Sequence, residues 1–189
     1  MIVKNTQEKN VAEDEERLIR NAQKDPAAFR PLYEKYFRKI FVFIHHRVGE
    51  KSLTADLTSQ VFLKALLNLS KFEFRGFPFS AWLFRIALNE CNDFFRKTKR
   101  FRFVAVEEHV MEELHQELTS ETTLYDLQAK LPHILEKLSL DELQIIELRF
   151  FDQRPFKEVA EILGITETYA KVRTYRILDK MKKYFLKTT

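Results

Sequence analysis

The stretch FKEVAEILGITETYAKVRTYRILDKM, residues 156–181, determines the fold of the C-terminal part of the chain. Apolar residues recur at helical spacing on both sides of Gly164, which can adopt the positive φ that a tight turn requires. Thr166 can cap the helix that follows, and Val172 is expected to pack beneath that helix. Two helices joined by a short turn, with the small residue Ala160 where they approach each other, predict a helix-turn-helix.

The second helix of this motif is strongly basic. Residues 168–189 carry seven Lys and Arg against one acid. Long cationic side chains on an exposed helix face can reach phosphates and guanine edges in a DNA major groove. Cations also stabilise the C-terminal end of any helix by interacting with its dipole, so the basic charge alone does not indicate DNA binding. The turn pattern that precedes this helix is what favours DNA binding. The residues predicted to contact DNA are Thr166, Thr168, Tyr169, Lys171, Arg173, Thr174 and Arg176.

Charge divides the chain into three parts. Residues 1–102 carry 20 Lys and Arg against 12 Asp and Glu, and residues 129–189 carry 12 against nine. Residues 103–128 carry seven acids and no Lys or Arg, and their apolar period is weak. We therefore expect a linker with a short helix in it there, and the alternative is a solvated acidic helix. The predicted divisions are an N-terminal tail or helix extension at 1–24, a helical bundle at 25–102, an acidic linker at 103–128 and a helix-turn-helix domain at 129–189.

The N-terminal part has helical periodicity. Apolar residues recur at spacings of three and four between positions 29 and 44, and Gly49 marks the expected end of that helix. A second apolar stripe covers 57–69, and a third helix is expected to begin near Ser80. No segment alternates as a strand does. The predicted fold class is therefore all-α, with two helical domains joined by an acidic linker.

The composition and motif content exclude several classes of protein. Hydrophobic residues make up 45% of the 189 positions, which is enough to build a core. The one cysteine, Cys91, excludes an internal disulfide and a Cys-based zinc cluster. The five histidines lack metal-ligand spacing, and neither a phosphate loop nor a nucleophile elbow is present, so we expect no catalysis, cofactor or metal. The N-terminus lacks the apolar core of a signal peptide, so we expect a cytoplasmic protein without membrane insertion.

A second candidate nucleic-acid surface combines aromatic rings with cations. FEFRGFPFSAWLF, residues 72–84, holds six rings, and RKTKRFR, residues 96–102, holds five Lys and Arg. Aromatic faces beside cations form a platform for unstacked bases, because stacking accepts any base and the charges follow its phosphates. Most aromatic clusters are core, and Trp82 fits the core-facing period. For the loop rings Phe72 and Phe74 both roles stay open.

Three stretches, in this order, resemble the extracytoplasmic-function (ECF, group IV) sigma factors of bacterial RNA polymerase. ADLTSQVFLKAL, residues 55–66, is similar to the family's Asp-Leu-Thr-Gln-Glu-Val-Phe pattern, although Ser59-Gln60 replaces Gln-Glu. Residues 79–100 resemble its Trp-Leu-Tyr-Arg-Ile-Ala-Arg-Asn stretch and the basic residues that follow. Residues 156–181 resemble its Glu-Ile-Ala…Leu-Gly…Val-Lys-x-Arg reader. The likeness covers residues 25–186.

The resemblance implies a function, sites and partners. Such a protein binds the clamp and flap of core RNA polymerase, recognises the minus-35 and minus-10 elements of promoter DNA and opens its strands; it is a monomer when free and meets an anti-sigma factor. The implied polymerase-binding residues are Asp56, Leu57, Gln60, Val61 and Phe62. The implied residues for the minus-10 element and melting are Phe72, Phe74, Arg75, Asn89, Asp93, Arg96, Lys97, Lys99 and Arg100. The acidic linker would pass near the RNA exit path.

Two other functions are compatible with the same patterns. A conventional transcription regulator would use the helix-turn-helix on duplex operators without polymerase. A non-catalytic helical adaptor would bind acidic proteins through its basic faces and would lack the steep salt dependence of phosphate contacts.

Overall fold

The structure, a computed structural model, describes residues 14–74, 77–98, 108–118 and 124–187. Within these ranges the chain forms nine α-helices and no strand. It divides into two compact units, which meet in the sequence between Val104 and Ala105. The prediction of an all-α fold with two helical domains is confirmed. Across the described ranges, every helix falls short of the length or the apolarity needed to span a membrane.

The first unit contains four helices. They are α1 at residues 14–24, α2 at Arg30–Val48, α3 at Lys51–Asn68 and α4 at Phe79–Thr98. Short 3₁₀ turns precede α2 at Pro26–Phe29 and follow α3 at Leu69–Lys71. Helices α2, α3 and α4 pack against one another around a core in which Leu32, Ile40, Val61, Phe79 and Leu83 are fully buried.

Local signals set the ends of these helices. The carboxylate of Asp25 accepts the N–H of Ala27 at 2.9 Å, and Pro26 follows in the first turn, where its missing N–H costs nothing. Gly49 ends α2 with φ 71°, a left-handed conformation that glycine adopts without a Cβ clash.

Helix α1 is more than the tail or helix extension predicted for residues 1–24. Residues 14–24 form a separate helix, and Ile19 and Ala22 are buried against the bundle. Glu15 accepts hydrogen bonds from the Tyr36 hydroxyl and from the Lys35 Nζ at 2.6 Å. Leu18, Ile19 and Ala22 are the apolar residues of 14–24, and one helical turn is too short to establish a period, which is why the sequence leaves this helix open.

The second unit contains five helices and a π-helical turn. The helices are α5 at Glu108–Leu118, α6 at Leu124–Glu136, α7 at Leu140–Ile146, α8 at Phe156–Leu163 and α9 at Glu167–Lys187, with the π-helical turn at Glu147–Phe151. The long helix α9 packs against α5, α6, α7 and α8, so it forms the centre of this unit.

The acidic segment predicted at 103–128 contains a helix, α5, but this helix is packed against α6 and α9 and so is neither a free linker nor a solvated helix. Val110, Leu114 and Leu118 of α5 are buried, and Glu112 and Glu117 lie on the exposed side. Apolar residues spaced by four place one stripe of α5 against α6 and α9, while Glu112 and Glu117 stay in water. The parts of the predicted linker at residues 103–107 and 119–123 lie outside the described residues.

Caps set the ends of the helices in the second unit. Ser139 and Glu142 form a reciprocal capping box at the start of α7, with the Ser139 N–H donating to the Glu142 carboxylate at 2.8 Å. Gly164 ends α8 with φ 69°, and the N–H of Ile165 donates to the Ala160 carbonyl at 3.0 Å. The predicted helix-turn-helix is therefore formed by α8 and α9.

Candidate nucleic-acid interfaces

Helix α9 presents a cationic face to solvent. Its N-terminus is capped by Thr166, whose hydroxyl accepts the Tyr169 N–H at 3.2 Å. The buried stripe of the helix consists of Ala170, Thr174, Ile177, Leu178, Met181 and Phe185. On the other side the predicted residues Thr168, Tyr169, Lys171 and Arg176 are exposed, as is Thr166 before them. This exposed side has the donors and cations that contact with a duplex groove requires.

Two residues of the motif lie on opposite sides from those expected. Thr174 was predicted to contact DNA, but it is 1% exposed and its hydroxyl donates to the Ala170 carbonyl at 2.9 Å. It occupies the buried stripe one turn after Ala170. Val172, expected beneath the helix, is 43% exposed instead. Helix α9 also packs against α5, α6 and α7, which lie outside the two-helix motif, so the motif alone does not determine which side of α9 is covered.

Arg173 lies at the edge of the exposed face. Its guanidinium is 3.8 Å from the Asp141 carboxylate and 5.8 Å from the centre of the Tyr169 ring. Asp141 is largely exposed, and an exposed ion pair at this distance contributes little. Arg173 can therefore exchange Asp141 for a phosphate while it stays against the Tyr169 ring.

An ion pair fixes α7 against α9 below this face. The Lys180 Nζ donates to the Glu142 carboxylate at 2.6 Å. Partial burial by itself raises the pKa of Glu142, but the hydrogen bonds from Lys180 and Ser139 lower it more, and the net pKa is below its usual value. The same hydrogen bond raises the pKa of Lys180. The pair therefore holds the recognition helix in its place in the unit.

The aromatic loop of the first unit separates its rings into buried and exposed ones. Phe72, predicted to stack with bases, is only 8% exposed, and its ring packs 5.4 Å from Phe79 and 5.2 Å from Trp82. This corrects its predicted role, because three neighbouring rings cover its faces. Phe74 is 44% exposed and meets the Phe72 ring edge-on at 5.1 Å. Phe77, which the sequence did not single out, is 43% exposed.

Helix α4 extends this aromatic surface into a polar and cationic stripe. Trp82 is partly exposed, and Asn89, Asp93 and Lys97 follow it at helical spacings on the same side. From Trp82 to Lys97 the stripe is about 22 Å long at 1.5 Å per residue. At 3.4 Å per nucleotide this is room for about six nucleotides of one strand. Trp82 is part of the candidate surface, although the sequence favoured a core role for it. Its spacing of two helical turns from Asn89 was the sequence signal that both residues lie on one side of α4.

The charges of the stripe are exposed. Arg96 is paired with Asp93 at 2.8 Å, within one turn of α4, and its side chain is 76% exposed. Such a pair is weak in water, so the guanidinium remains available for phosphate. The other predicted residues for this surface, Arg75, Lys99 and Arg100, lie outside the described residues.

Helix α3 divides the five predicted polymerase-binding residues between core and surface. Leu57, Val61 and Phe62 are at most 4% exposed, so they cannot bind a partner without unfolding of the bundle. Phe62 fills the space between α2 and α3, with its ring 4.7 Å from Tyr33. The prediction is wrong for these three residues because the motif mixes both faces of the helix.

The opposite face of α3 is exposed and partly apolar. Asp56, Gln60, Leu63 and Leu67 follow one another at spacings of four, three and four, which places them on one side of the helix. Leu63 is 56% exposed and Leu67 is 68% exposed. Sequence reasoning missed both leucines, although their spacing to Asp56 and Gln60 was visible. Two exposed leucines beside polar residues form a surface suited to another protein.

The two helical units, one with a helix-turn-helix and one with an aromatic and cationic strip, define a DNA-binding protein of two domains. Family models match both: Sigma-70 region 2 at residues 32–101 and Sigma-70, region 4 at residues 134–183. The chain is 32% identical over 169 residues to the ECF RNA polymerase sigma factor BldN of Streptomyces coelicolor, covering 88% of this chain and 64% of that protein. It is 26% identical to the ECF RNA polymerase sigma factor SigX of Bacillus subtilis, covering 82% of each. The chain belongs to the sigma-70 family, in its ECF group.

Solved structures agree with the fold. CnrH in complex with the cytosolic domain of CnrY has a TM-score of 0.54 and 21% identity, over 91% of this chain and 97% of that one. The sigma factor RpoE of Bartonella quintana, in complex with the anti-sigma factor NepR, has a TM-score of 0.51 and 23% identity, over 84% and 96%. At these identities the likeness concerns the fold.

Proposed function

We propose that this chain binds core RNA polymerase, recognises a promoter through its minus-35 and minus-10 elements and promotes strand opening. The observation that carries the proposal is the pairing of two different DNA surfaces on one chain. One is a capped cationic recognition helix; the other is a strip of exposed rings and cations. A duplex reader together with a holder of unpaired bases is what recognition and opening of a promoter require.

The second unit is proposed to read the minus-35 element as a duplex. Lys171 and Arg176 are exposed on α9 and reach phosphates or guanine edges in a major groove. Thr168 and Tyr169, in the first turn, lie where a recognition helix meets base edges. Arg173 joins them by leaving Asp141. Thr174 is excluded from the contact surface because it is buried.

The first unit is proposed to capture bases of the minus-10 element as the strands separate. Stacking on an aromatic ring contributes about 1–3 kcal/mol per base, and unstacking of a base step costs a few kcal/mol. In the loop and the first turn of α4, Phe74 and Phe77 are exposed and Trp82 is partly exposed, so these rings are accessible for stacking. Asn89, Arg96 and Lys97 would follow the backbone of the captured strand. Capture by several rings can therefore offset the cost of opening without ATP.

The exposed face of α3 is proposed to bind the polymerase clamp. Burial of an exposed leucine side chain contributes about 1.5–3 kcal/mol at most, so Leu63 and Leu67 together supply a sizeable part of an interface. Asp56 and Gln60 add polar contacts at the other end of the same stripe. We propose the flap of the polymerase as the contact of the second unit.

An anti-sigma factor is a further proposed partner. The similar fold of RpoE was solved with the anti-sigma factor NepR. A protein that covers the exposed apolar face of α3 would block polymerase binding, since both partners would need Leu63 and Leu67. The proposed function also implies that the protein works in the cytoplasm, where core polymerase meets DNA, and as a monomer when free.

Run-off transcription tests the proposal. Purified core polymerase is combined with the chain on a library of duplex promoters, and transcripts are sequenced to find start sites. We expect initiation that depends on the chain and that starts a fixed distance from shared minus-35 and minus-10 elements. Absence of both initiation and core binding would remove the proposal. Tight binding to a duplex operator without polymerase would instead indicate a conventional regulator.

A further inference from the structure

Helix α1 reaches the aromatic loop through one side chain, that of Gln23. Its amide Nε2 donates to the Leu69 carbonyl at 3.0 Å and to the Phe72 carbonyl at 2.8 Å. The acceptors are 46 and 49 residues away in the sequence, so this is a contact between distant elements. A carboxamide has two N–H donors, and both are used here.

The two carbonyls lie at the point where the chain leaves α3 for the loop. The Leu69 carbonyl also accepts the Phe72 N–H at 3.0 Å, whereas the Phe72 carbonyl lies past the end of the helix, where a carbonyl needs a donor from outside it. Phe72 has left the helical conformation, with φ −72° and ψ 128°, so its carbonyl points away from the helix ladder. Gln23 supplies the donor at this position and thereby fixes the peptide that follows Phe72.

Helix α1 is itself held firmly enough to act as a support. Ile19 is fully buried, and Glu15 accepts hydrogen bonds from Tyr36 and Lys35. Burial, followed by the hydrogen bond to Glu15, raises the pKa of the Tyr36 hydroxyl, which keeps it protonated as a donor. The Tyr36 ring lies 5.6 Å from the Phe79 ring. Helix α1 is therefore connected to the aromatic cluster at two points, through the hydrogen bond of Glu15 to Tyr36 of α2 and through Gln23.

The peptide that Gln23 holds sets the position of an exposed ring. The Phe72 ring packs against Trp82 and Phe79, and the ring of Phe74, two residues further along the chain, contacts it edge-on. Fixing the backbone of one residue costs conformational entropy. A loop that is ordered in advance does not lose this freedom when a ligand binds.

We propose that Gln23 is a positioning residue for single-strand capture, which holds the Phe72 peptide so that the Phe74 ring is already placed for an unpaired base. The inference rests on the proposed function of the aromatic strip. The ligand is the unpaired strand of a melted promoter, bound through its base faces. Gln23 itself touches no DNA and acts through the loop.

The test compares Gln23→Leu with wild type in holoenzyme with core polymerase. The ligand is a labelled single-stranded oligonucleotide of the minus-10 non-template strand from a promoter found by run-off transcription. We expect the affinity for this oligonucleotide to fall about tenfold, as the loss of one or two hydrogen bonds predicts. Affinity for core polymerase should stay unchanged. Asn21→Leu, at an exposed amide on the same helix, is the matched control and should change neither affinity.

A double-mutant cycle with Phe74→Ala separates positioning from general stability. If Gln23 acts through Phe74, the double variant should bind the oligonucleotide no more weakly than Phe74→Ala alone. Additive losses would overturn the inference, as would an equal loss of core affinity in Gln23→Leu. Gln23→Glu is the second variant if Gln23→Leu does not fold, since it keeps the side-chain length but replaces the donors with an acceptor. Its folding is followed by the fluorescence of Trp82, the one tryptophan of the chain.

The outcome for the wild-type chain distinguishes the two proposals. If wild-type holoenzyme initiates transcription from no promoter of the library, the proposed function fails. If wild type binds the oligonucleotide and Gln23→Leu binds equally well, the positioning role of Gln23 alone is overturned.

Discussion

Phe72 and Phe74 are two residues apart in the loop and have different environments. Phe72 is closed in by Phe74, Phe79 and Trp82, whereas Phe74 leaves 44% of its surface in solvent. A buried ring contributes to folding, and an exposed ring can bind a base without loss of the core. The two residues therefore offer a matched pair of substitutions.

Phe74→Ala should leave the free energy of unfolding nearly unchanged and weaken binding of a single-stranded minus-10 oligonucleotide by about 1–3 kcal/mol. Phe72→Ala should lower the free energy of unfolding by about 3–5 kcal/mol, because it empties a packed aromatic site. Urea unfolding and oligonucleotide titration of holoenzyme measure the two effects. Equal destabilisation by both substitutions would contradict the different burial of the two rings.

The contribution of Lys171 to DNA affinity should depend on the salt concentration. Lys171→Ala should weaken binding of holoenzyme to a duplex with an intact minus-35 element and reduce the slope of log affinity against log salt by about 0.9, the value for one phosphate contact. Lys183→Ala is the control, because Lys183 is also exposed on α9 but lies about 18 Å further along the helix. An unchanged slope for Lys171→Ala would remove Lys171 from the proposed contact surface.

At the scale of elements, the position of α9 depends on helices outside the helix-turn-helix. Its buried stripe meets α5, α6 and α7 as well as α8. The pair between Lys180 and Glu142 connects it to α7, and Arg149 of the π-helical turn reaches Glu113 of α5 at 3.2 Å. The acidic helix α5 is thereby part of the support of the recognition helix.

The pair between Glu142 and Lys180 should make the stability of the chain depend on pH in a defined direction. The pKa of Glu142 in the folded chain is below its ordinary value of 4.5. Its contribution to the free energy of unfolding is therefore complete above pH 4.5 and is lost as the pH falls through the pKa of the folded state. The folded pKa of Lys180 is above its ordinary 10.5, so its contribution is lost only as the pH rises through the folded value.

Glu142→Gln should therefore lower the free energy of unfolding by about 0.5–1 kcal/mol at neutral pH, since the pair is partly exposed. The difference from wild type should disappear at acid pH, where Glu142 is protonated in both states. Chemical unfolding followed by circular dichroism measures it. Glu136→Gln, at an exposed acid at the end of α6, is the control and should show a smaller difference. A difference that persists at acid pH would show that charge is not the cause.

At the scale of the whole molecule, three surfaces with different chemistry are carried on separate helices. The apolar face of α3, the aromatic and cationic strip of α4 and its preceding loop, and the cationic face of α9 share few residues with the core. Each surface can therefore be changed alone, which allows polymerase binding and DNA binding to be separated experimentally.

Substitution of the α3 face should separate polymerase binding from folding. Leu63→Asp together with Leu67→Asp should lower the affinity for core polymerase at least about tenfold, because two leucines that would be buried contribute about 1.5–3 kcal/mol each. The melting temperature should change little, since both side chains are more than half exposed. Val42→Asp, at a 42% exposed apolar residue of α2, is the control. Wild-type core affinity in the double variant would place the polymerase contact elsewhere.

The sequence by itself determined the helices of the core, their caps and the helix-turn-helix. Asp25, Gly49, Ser139 and Gly164 act on the backbone within a few residues of their own positions, so their effect can be predicted from local order. The apolar period of α2 likewise indicates a buried stripe without knowledge of what covers it.

Only the tertiary structure decided which side of each helix is covered. Phe72 is buried and Phe74 is not, Thr174 is buried and Val172 is not, and α5 is packed although its charge indicated a linker. Gln23 meets the Phe72 carbonyl 49 residues away. These outcomes depend on contacts with elements from distant parts of the chain. A local sequence pattern carries no information about which distant element will cover a given side chain.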